Sequence, residues 1–155
     1  MESLKVILID SDQKVIKQLS NFAEQNPVLI TLCDYCETLT DGIELVKSYK
    51  PNLIIMDPTE ENLSVFHLLK EVECTIPKII FLSDDKTKAF EAFQYNAVDF
   101  LHKKFNSNAL IVSLYKAIKW MEMETNFHQM KLLQLESFHF QNEKYGFIAI
   151  PSSDK

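Results

Sequence analysis

Glycine is nearly missing. The 155 residues contain two, Gly42 and Gly146, where average usage of about 7% would give roughly eleven. A Walker loop needs two glycines five apart followed by Lys and Ser or Thr, and a dinucleotide fingerprint needs three within six residues. Neither can be built from this chain. Long apolar runs are lacking too. There is no amino-terminal h-region, because the run Val6 to Ile9 ends on Asp10. No stretch approaches the roughly 20 apolar residues of a membrane span, so no membrane association is expected. Cysteine is sparse and odd in number, at three. Without an export signal, free thiols and a cytoplasmic location are the expectation. Positive charge is also short. Sixteen basic residues face 22 acidic ones, for a net charge of −6, which argues against DNA binding through the bulk field.

What is present is an ordinary globular share of apolar residues, 46%, enough for one domain with an appendage. Short apolar runs recur, each followed by a helix-period segment. Strands are expected at Leu4 to Ile9, Val28 to Cys33, Leu53 to Met56, Ile79 to Leu82 and Val98 to Leu101. Helices are expected at Asp12 to Gln25, Thr38 to Tyr49, Leu63 to Val72 and Thr87 to Tyr95, with a long one opening at Ser107. Thr38 and Asp41 form a capping box at the second of these. Five alternations of strand and helix imply an α/β, doubly wound, five-stranded parallel sheet with helices on both faces. Such sheets carry their sites at the carboxyl ends of the strands.

Those ends hold the chemistry. Strand one runs into Asp10-Ser11-Asp12, strand three into Asp57, strand four into Ser83-Asp84-Asp85 and strand five into His102-Lys103-Lys104. Acids at strand ends commonly cap the next helix, and Asp12 suits that role. Asp57 suits it less, since it directly follows four apolar residues at the centre of the sheet. Carboxylates packed together need a cation or raised pKa values, and a hard divalent ion with oxygen ligands fits them. A lysine opposite can hold an anion on the far side of Asp57.

At these residues the chain resembles a response-regulator receiver domain. The matching stretches are Lys5 to Asp10, Lys50 to Asp57, Ile79 to Ser83 and, most specific, Glu91 to Phe105. The last is similar to the subgroup that precedes LytTR-type DNA-binding domains. The resemblance implies a flavodoxin-like, CheY-like fold with strand order 2-1-3-4-5 and an extended C-terminal helix. It implies that Asp57 is the phosphoacceptor for a histidine kinase, attacking a phosphohistidine to form an acyl phosphate. Asp10, Asp57 and the backbone carbonyl of Thr59 would hold Mg²⁺, with Asp12 as a further candidate. Lys103 would neutralise phosphoryl oxygens, Ser83 would bind the phosphate, and Phe100 would be the aromatic switch that follows Ser83.

The departures are as informative. The second acid usual after strand one is Ser11, which weakens the expected Mg²⁺ site. The loop after Asp57 reads Glu60-Glu61-Asn62-Leu63-Ser64-Val65, without the family's glycine, and is expected to take another path. Pro58 leaves the amide of Thr59 intact. Ser83 is followed by Asp84 rather than a small residue. Lys104 stands where the family has a proline, and a non-proline cis bond costs about 2.5–4 kcal/mol, so a trans bond is expected. Asn96 replaces the glycine before Ala97 and is the residue next most tolerant of positive φ. Glu60, Glu61, Asp84 and Asp85 either repel an anionic donor or replace the lost metal ligand; the sequence leaves both open.

Cys33 and Cys36 have C-x-x-C spacing but no further ligands for zinc, and Cys74 stands alone; all three read as incidental. His67, His102, His128 and His139 read as solvated. Along the C-terminal helix Ile111, Leu114, Ile118, Met121, Thr125, His128, Leu132 and Leu135 alternate at spacings of three and four, a heptad seam of about three repeats. A homodimer is expected from it. The expected organisation is a receiver at 1–120, a helical linker at 121–136, and at 137–155 a hairpin-like start of an output domain. The chain thus reads as a receiver and linker cut from a longer transcription regulator or naturally truncated, able to reach DNA only through that further domain. Phosphorylation of Asp57 would switch dimerisation or output. The chain is not expected to be an enzyme beyond self-catalysed phosphotransfer and dephosphorylation. Two alternatives remain. One is a pseudo-receiver binding module that signals without phosphate, motivated by Ser11, Asp84 and Lys104. The other is a haloacid-dehalogenase-type phosphatase using Asp10 as nucleophile and Asp12 as acid, against which the missing glycine after Asp12 weighs.

Overall fold

A computed structural model describes residues 2–58 and 77–145. Five parallel strands form one sheet in the order β2-β1-β3-β4-β5. They are β1 (Leu4–Ile9), β2 (Ile30–Cys36), β3 (Leu53–Met56), β4 (Lys78–Ser83) and β5 (Asp99–His102). The described helices are α1 (Gln13–Gln25), α2 (Leu39–Tyr49), α3 (Ala89–Gln94, preceded by a 3₁₀ turn at Lys86–Lys88) and α4 (Ser107–Tyr145). The expected helix at 63–72 lies outside the described residues.

The sheet is buried on both faces, which is why its strands read as unbroken apolar runs rather than alternating ones. On one face Ile7, Ile9, Ile54, Met56, Ile79 and Phe81 pack with Leu39 and Val46 of α2 and Ala92 of α3. Val6, Leu8, Leu53, Ile55, Ile80 and Leu82 alternate with them and are fully buried, pointing to the opposite face. Val15, Ile16, Leu19 and Phe22 of α1 are buried, as are Leu110, Leu114 and Ala117 of α4. Gln18 of α1 donates to the Phe105 carbonyl just before α4, at 3.0 Å.

Glycine is spent where backbone must approach side chain. A Cβ on Gly42 would meet Ile9 Cγ1 at 2.9 Å and Cys36 Sγ at 3.5 Å, so α2 can lie on β1 and β2 only without one. The two described positive-φ positions are filled without glycine, by Lys50 (φ 49°), which ends α2, and Asn96 (φ 55°). No described peptide bond is cis, the one at Lys104 included.

Several boundaries differ from expectation. β2 begins at Ile30, not Val28, because Leu29 N–H and Ile30 N–H both close a turn onto the Asn26 carbonyl. It continues to Cys36, so Cys33 lies inside the strand and Cys36 ends it. Between Val6↔Leu32 and Ile7↔Asp34 the register skips Cys33. That bulge resets the alternation, and Cys33 and Cys36 both pack on the cluster beneath α2 as free thiols. The helix expected at Thr87 to Tyr95 is shorter, since Asp85 turns its start into 3₁₀. β5 starts one residue late, at Asp99.

The largest correction is at the C-terminus. α4 runs unbroken through Tyr145, so the described part of the segment expected to be hairpin-like at 137–155 is helical. Phe138 to Tyr145 contain no proline, and glycine first appears at Gly146, so nothing in the backbone interrupts the helix. Residues 146–155 lie outside the description. The chain divides into two compact units between Ala117 and Ile118. No helix among the described residues is long and apolar enough to cross a membrane.

Candidate functional site

The register of the sheet assembles the site. Ile9 pairs with Met56, so the next residues, Asp10 and Asp57, emerge side by side. Asp57 N–H donates to the Ile9 carbonyl at 3.2 Å and Asp10 N–H to the Cys36 carbonyl at 3.0 Å, which carries the ladder one step past the strands and fixes both carboxylates. Ser83 pairs with His102, and Lys103 follows, its N–H donating to the Ser83 carbonyl at 3.3 Å. Asp10, Asp57 and Ser83 are buried polar residues in an otherwise apolar sheet.

Lys103 joins the two acids. Its Nζ lies 2.6 Å from Asp57 Oδ2 and 3.1 Å from Asp10 Oδ1. Asp10 Oδ1 also accepts the Asp12 N–H at 2.8 Å. Asp10 Oδ2 is buried with no hydrogen-bond partner among the described residues. Burial raises the Asp10 pKa above the usual carboxylate value, against the pull of the Asp12 amide and Lys103. Burial works against the Lys103 ammonium as well. The hydrogen bonds and charges of Asp57 and Asp10 outweigh it, so its pKa is raised.

The flanking residues are engaged in turns. Asp12 caps α1, its carboxylate accepting the Lys14 N–H at 2.9 Å. Ser11 is exposed. Ser83 Oγ accepts the Asp85 N–H at 3.0 Å, which leaves its hydroxyl proton available for an incoming acceptor. Asp85 accepts the Thr87 N–H at 2.9 Å and hydroxyl at 2.6 Å, and those bonds lower its pKa. His102 Nε2 stands 3.6 Å from Asp84 Oδ1, and its Nδ1 accepts the Lys104 N–H at 3.1 Å. Phe100 and Tyr95 are half-buried against the core beneath α2 and α3.

Thus Asp10, Asp57 and Lys103 meet directly, and Ser83 ends the strand next to β3. Phe100 lies on β5 away from these contacts. Thr59, Glu60, Glu61, Asn62, Val65, His67 and Cys74 lie outside the described residues. No cluster of three or more His, Cys, Asp or Glu among the described residues is arranged to hold a metal. The donors nevertheless fit Mg²⁺, which keeps several waters and is bound through one or two carboxylates. The partnerless Asp10 oxygen, buried beside a second carboxylate, is the kind of atom such a cation satisfies.

Sequence reasoning missed one polar cluster. Asp99 Oδ2 accepts the Ser113 hydroxyl at 2.5 Å and Lys116 Nζ at 3.2 Å, tying β5 to α4. Fourteen residues separate Asp99 from Ser113, so no local pattern announces the pair.

The sequence model of the response regulator receiver domain matches residues 6–115. The sensory transduction protein LytT of Bacillus cereus is 23% identical over 133 residues, which cover 83% of this chain and 53% of that protein. LytT of Enterococcus faecalis is 24% identical over 120 residues, 76% of this chain and 49% of the other. The chain therefore spans about half the length of these curated relatives. The crystal structure of the response regulatory domain of protein mrkE from Klebsiella pneumoniae superposes with a TM-score of 0.64 at 21% identity, over 77% of this chain and 99% of that one. At that identity the likeness is one of fold.

Proposed function

The chain belongs to the response-regulator receiver family of two-component signalling, and on that footing we propose that it accepts a phosphoryl group on Asp57. The observation that carries this reading is the Lys103 ammonium, 2.6 Å from Asp57 Oδ2 and 3.1 Å from Asp10 Oδ1 at the carboxyl edge of the sheet. Receiver domains interact with histidine kinases, and a phosphohistidine is the donor proposed here. An Asp57 oxygen attacks phosphorus, the P–N bond breaks, and the imidazole leaves with the electron pair, so an acyl phosphate forms. Lys103 would shift from the carboxylate to the phosphoryl oxygens, and the Ser83 hydroxyl would donate to one of them. Positioning and charge neutralisation do most of the work in such a transfer. Receiver domains generally use Mg²⁺. Asp10, Asp57 and the Thr59 carbonyl would hold it here, and it supplies charge neutralisation at the phosphoryl oxygens. Asp12 is left to the helix cap.

The output reading follows the same footing. Residues 1–120 would be the receiver and 121–136 the link, with DNA reached only through a further domain, as suits a relative of LytT. Two copies would pair through α4. Phe100, half-buried, would report the state of Ser83. The protein is a switch and turns over no substrate of its own beyond phosphotransfer and dephosphorylation.

Acetyl phosphate with Mg²⁺ should add the mass of one phosphoryl group to the intact chain, and Asp57→Asn should abolish the addition. A chain that stays unmodified with acetyl phosphate and with phosphorylated histidine kinases rejects the reading and leaves the phosphate-independent binding module.

A further inference from the structure

The seam that the heptad count selects is exposed at Leu132 and Leu135 (50% and 52%) but is not apolar throughout. Thr125 and His128 interrupt that seam, and the Thr125 hydroxyl turns back onto the Met121 carbonyl at 2.9 Å. Another row is unbroken. Trp120, Met123, Phe127 and Met130 follow one another at spacings of three, four and three, and they are 51%, 60%, 64% and 61% exposed. At 3.6 residues per turn this row lies on the opposite side of the helix from Thr125 and His128.

From this row we infer that two copies of the chain pair through α4 in parallel, with Trp120 and Phe127 at one core position of the heptad and Met123 and Met130 at the other. The occupant is identified by charge. In a parallel, in-register pair the residue before one core position faces the residue after the next core position of the partner. Here those residues are Lys119 and Glu124, of opposite sign, and the symmetry makes the contact twice. Leu133, 61% exposed, flanks the far end. Lys131 lies 5.4 Å from the Phe127 ring centroid and supplies a polar rim.

The area sets the strength of such a contact. Side chains of this size carry about 150–250 Å² each. At their exposure the four offer on the order of 450 Å² per copy. About 900 Å² across a pair is just under the roughly 1,000 Å² of a stable specific interface. The pairing is therefore reversible and concentration-dependent. Trp, Phe and Met are also the residue types enriched at such cores.

The inference gives a surface and a register to the pairing named above and does not rest on the phosphoacceptor reading. Sedimentation velocity of the full chain across a concentration series tests it, with far-UV circular dichroism as the control for helix content. The wild type should move from monomer to dimer. Phe127→Glu should weaken the dimer about tenfold or more, and Met130→Glu serves as a second seam variant. His128→Glu, on the other side, should leave it unchanged. Lys119→Glu should weaken it, and Lys119→Glu with Glu124→Lys should restore it. A monomer at every concentration overturns both the pairing and this surface. A dimer broken by His128→Glu and indifferent to Phe127→Glu overturns the surface alone. Failure of the charge swap to restore binding overturns the parallel register. Phosphoryl uptake on Asp57 is read separately, by mass, and stands or falls without these results.

Discussion

Asp10 illustrates at the residue scale what a buried carboxylate in the candidate site costs the fold. A carboxylate at the buried end of a central strand loses its hydration, and its second oxygen finds no donor among the described residues. One ammonium is shared between two acids, so the trio carries one uncompensated negative charge. Buried charge of this kind is tolerated only where something is gained from it. Asp10→Asn removes the charge, keeps the acceptor for the Asp12 N–H and leaves Lys103 to Asp57. We expect the metal-free variant to be more stable by about 1 kcal/mol, a rise of roughly 2–4 °C in the thermal midpoint. Thermal unfolding in a chelator checks this. A lowered midpoint would mean that the bond from Lys103 outweighs the burial.

Among the elements, β1 and β3 were readable to the residue because both sheet faces are covered and the apolar run stops where burial stops. β2 was not, because Val28 and Leu29 have strand-like chemistry but belong to the turn that closes α1, and because the bulge at Cys33 breaks the alternation a strand is read by. Asp10 and Asp57 were legible for the same reason as β1 and β3: each is the first polar residue after a buried strand. Lys103 follows the polar His102 at the end of the half-buried β5, and its role came from the family resemblance. α4 misled twice. Its aromatic C-terminal end resembles a strand, yet it carries no helix breaker. Its two rows are both compatible with a heptad and both exposed, and the polar Thr125 and His128 in one of them tell them apart. The contact fastening this helix to β5 was invisible, since Asp99 and Ser113 meet only in the fold. Ser113 is buried, with its hydroxyl on Asp99. Ser113→Ala would leave Asp99 with Lys116 but one bond short, at a cost of about 1–2 kcal/mol. The urea midpoint should fall accordingly with an unchanged slope. An unaltered midpoint would show that Lys116 alone holds the helix.

For the whole molecule, the site couples to global stability through whatever occupies it. A cation that binds the folded chain and not the unfolded one stabilises it by RT ln(1 + [L]/Kd). Mg²⁺ at Asp10 and Asp57 would relieve the uncompensated charge and give the partnerless oxygen a ligand. It must share both carboxylates with Lys103, which lies within 3.1 Å of each, and Ser11 contributes no acid. Binding should therefore be weak. At a tenfold excess over Kd the gain is about 1.4 kcal/mol, or roughly 3–6 °C in the midpoint of a chain this size. Titrating MgCl₂ against thermal unfolding, with NaCl matched for ionic strength, reads it directly. The midpoint should climb and continue to climb into the millimolar range. Asp10→Asn and Asp57→Asn should each flatten the curve, and Asp12→Asn, which keeps an acceptor for the Lys14 N–H and so the helix cap, should leave the Mg²⁺ response in place. A response lost with Asp12 instead would assign that carboxylate to the metal. No response in the wild type would mean that Lys103 already serves as the cation of the site, and that the switch runs without a divalent ion.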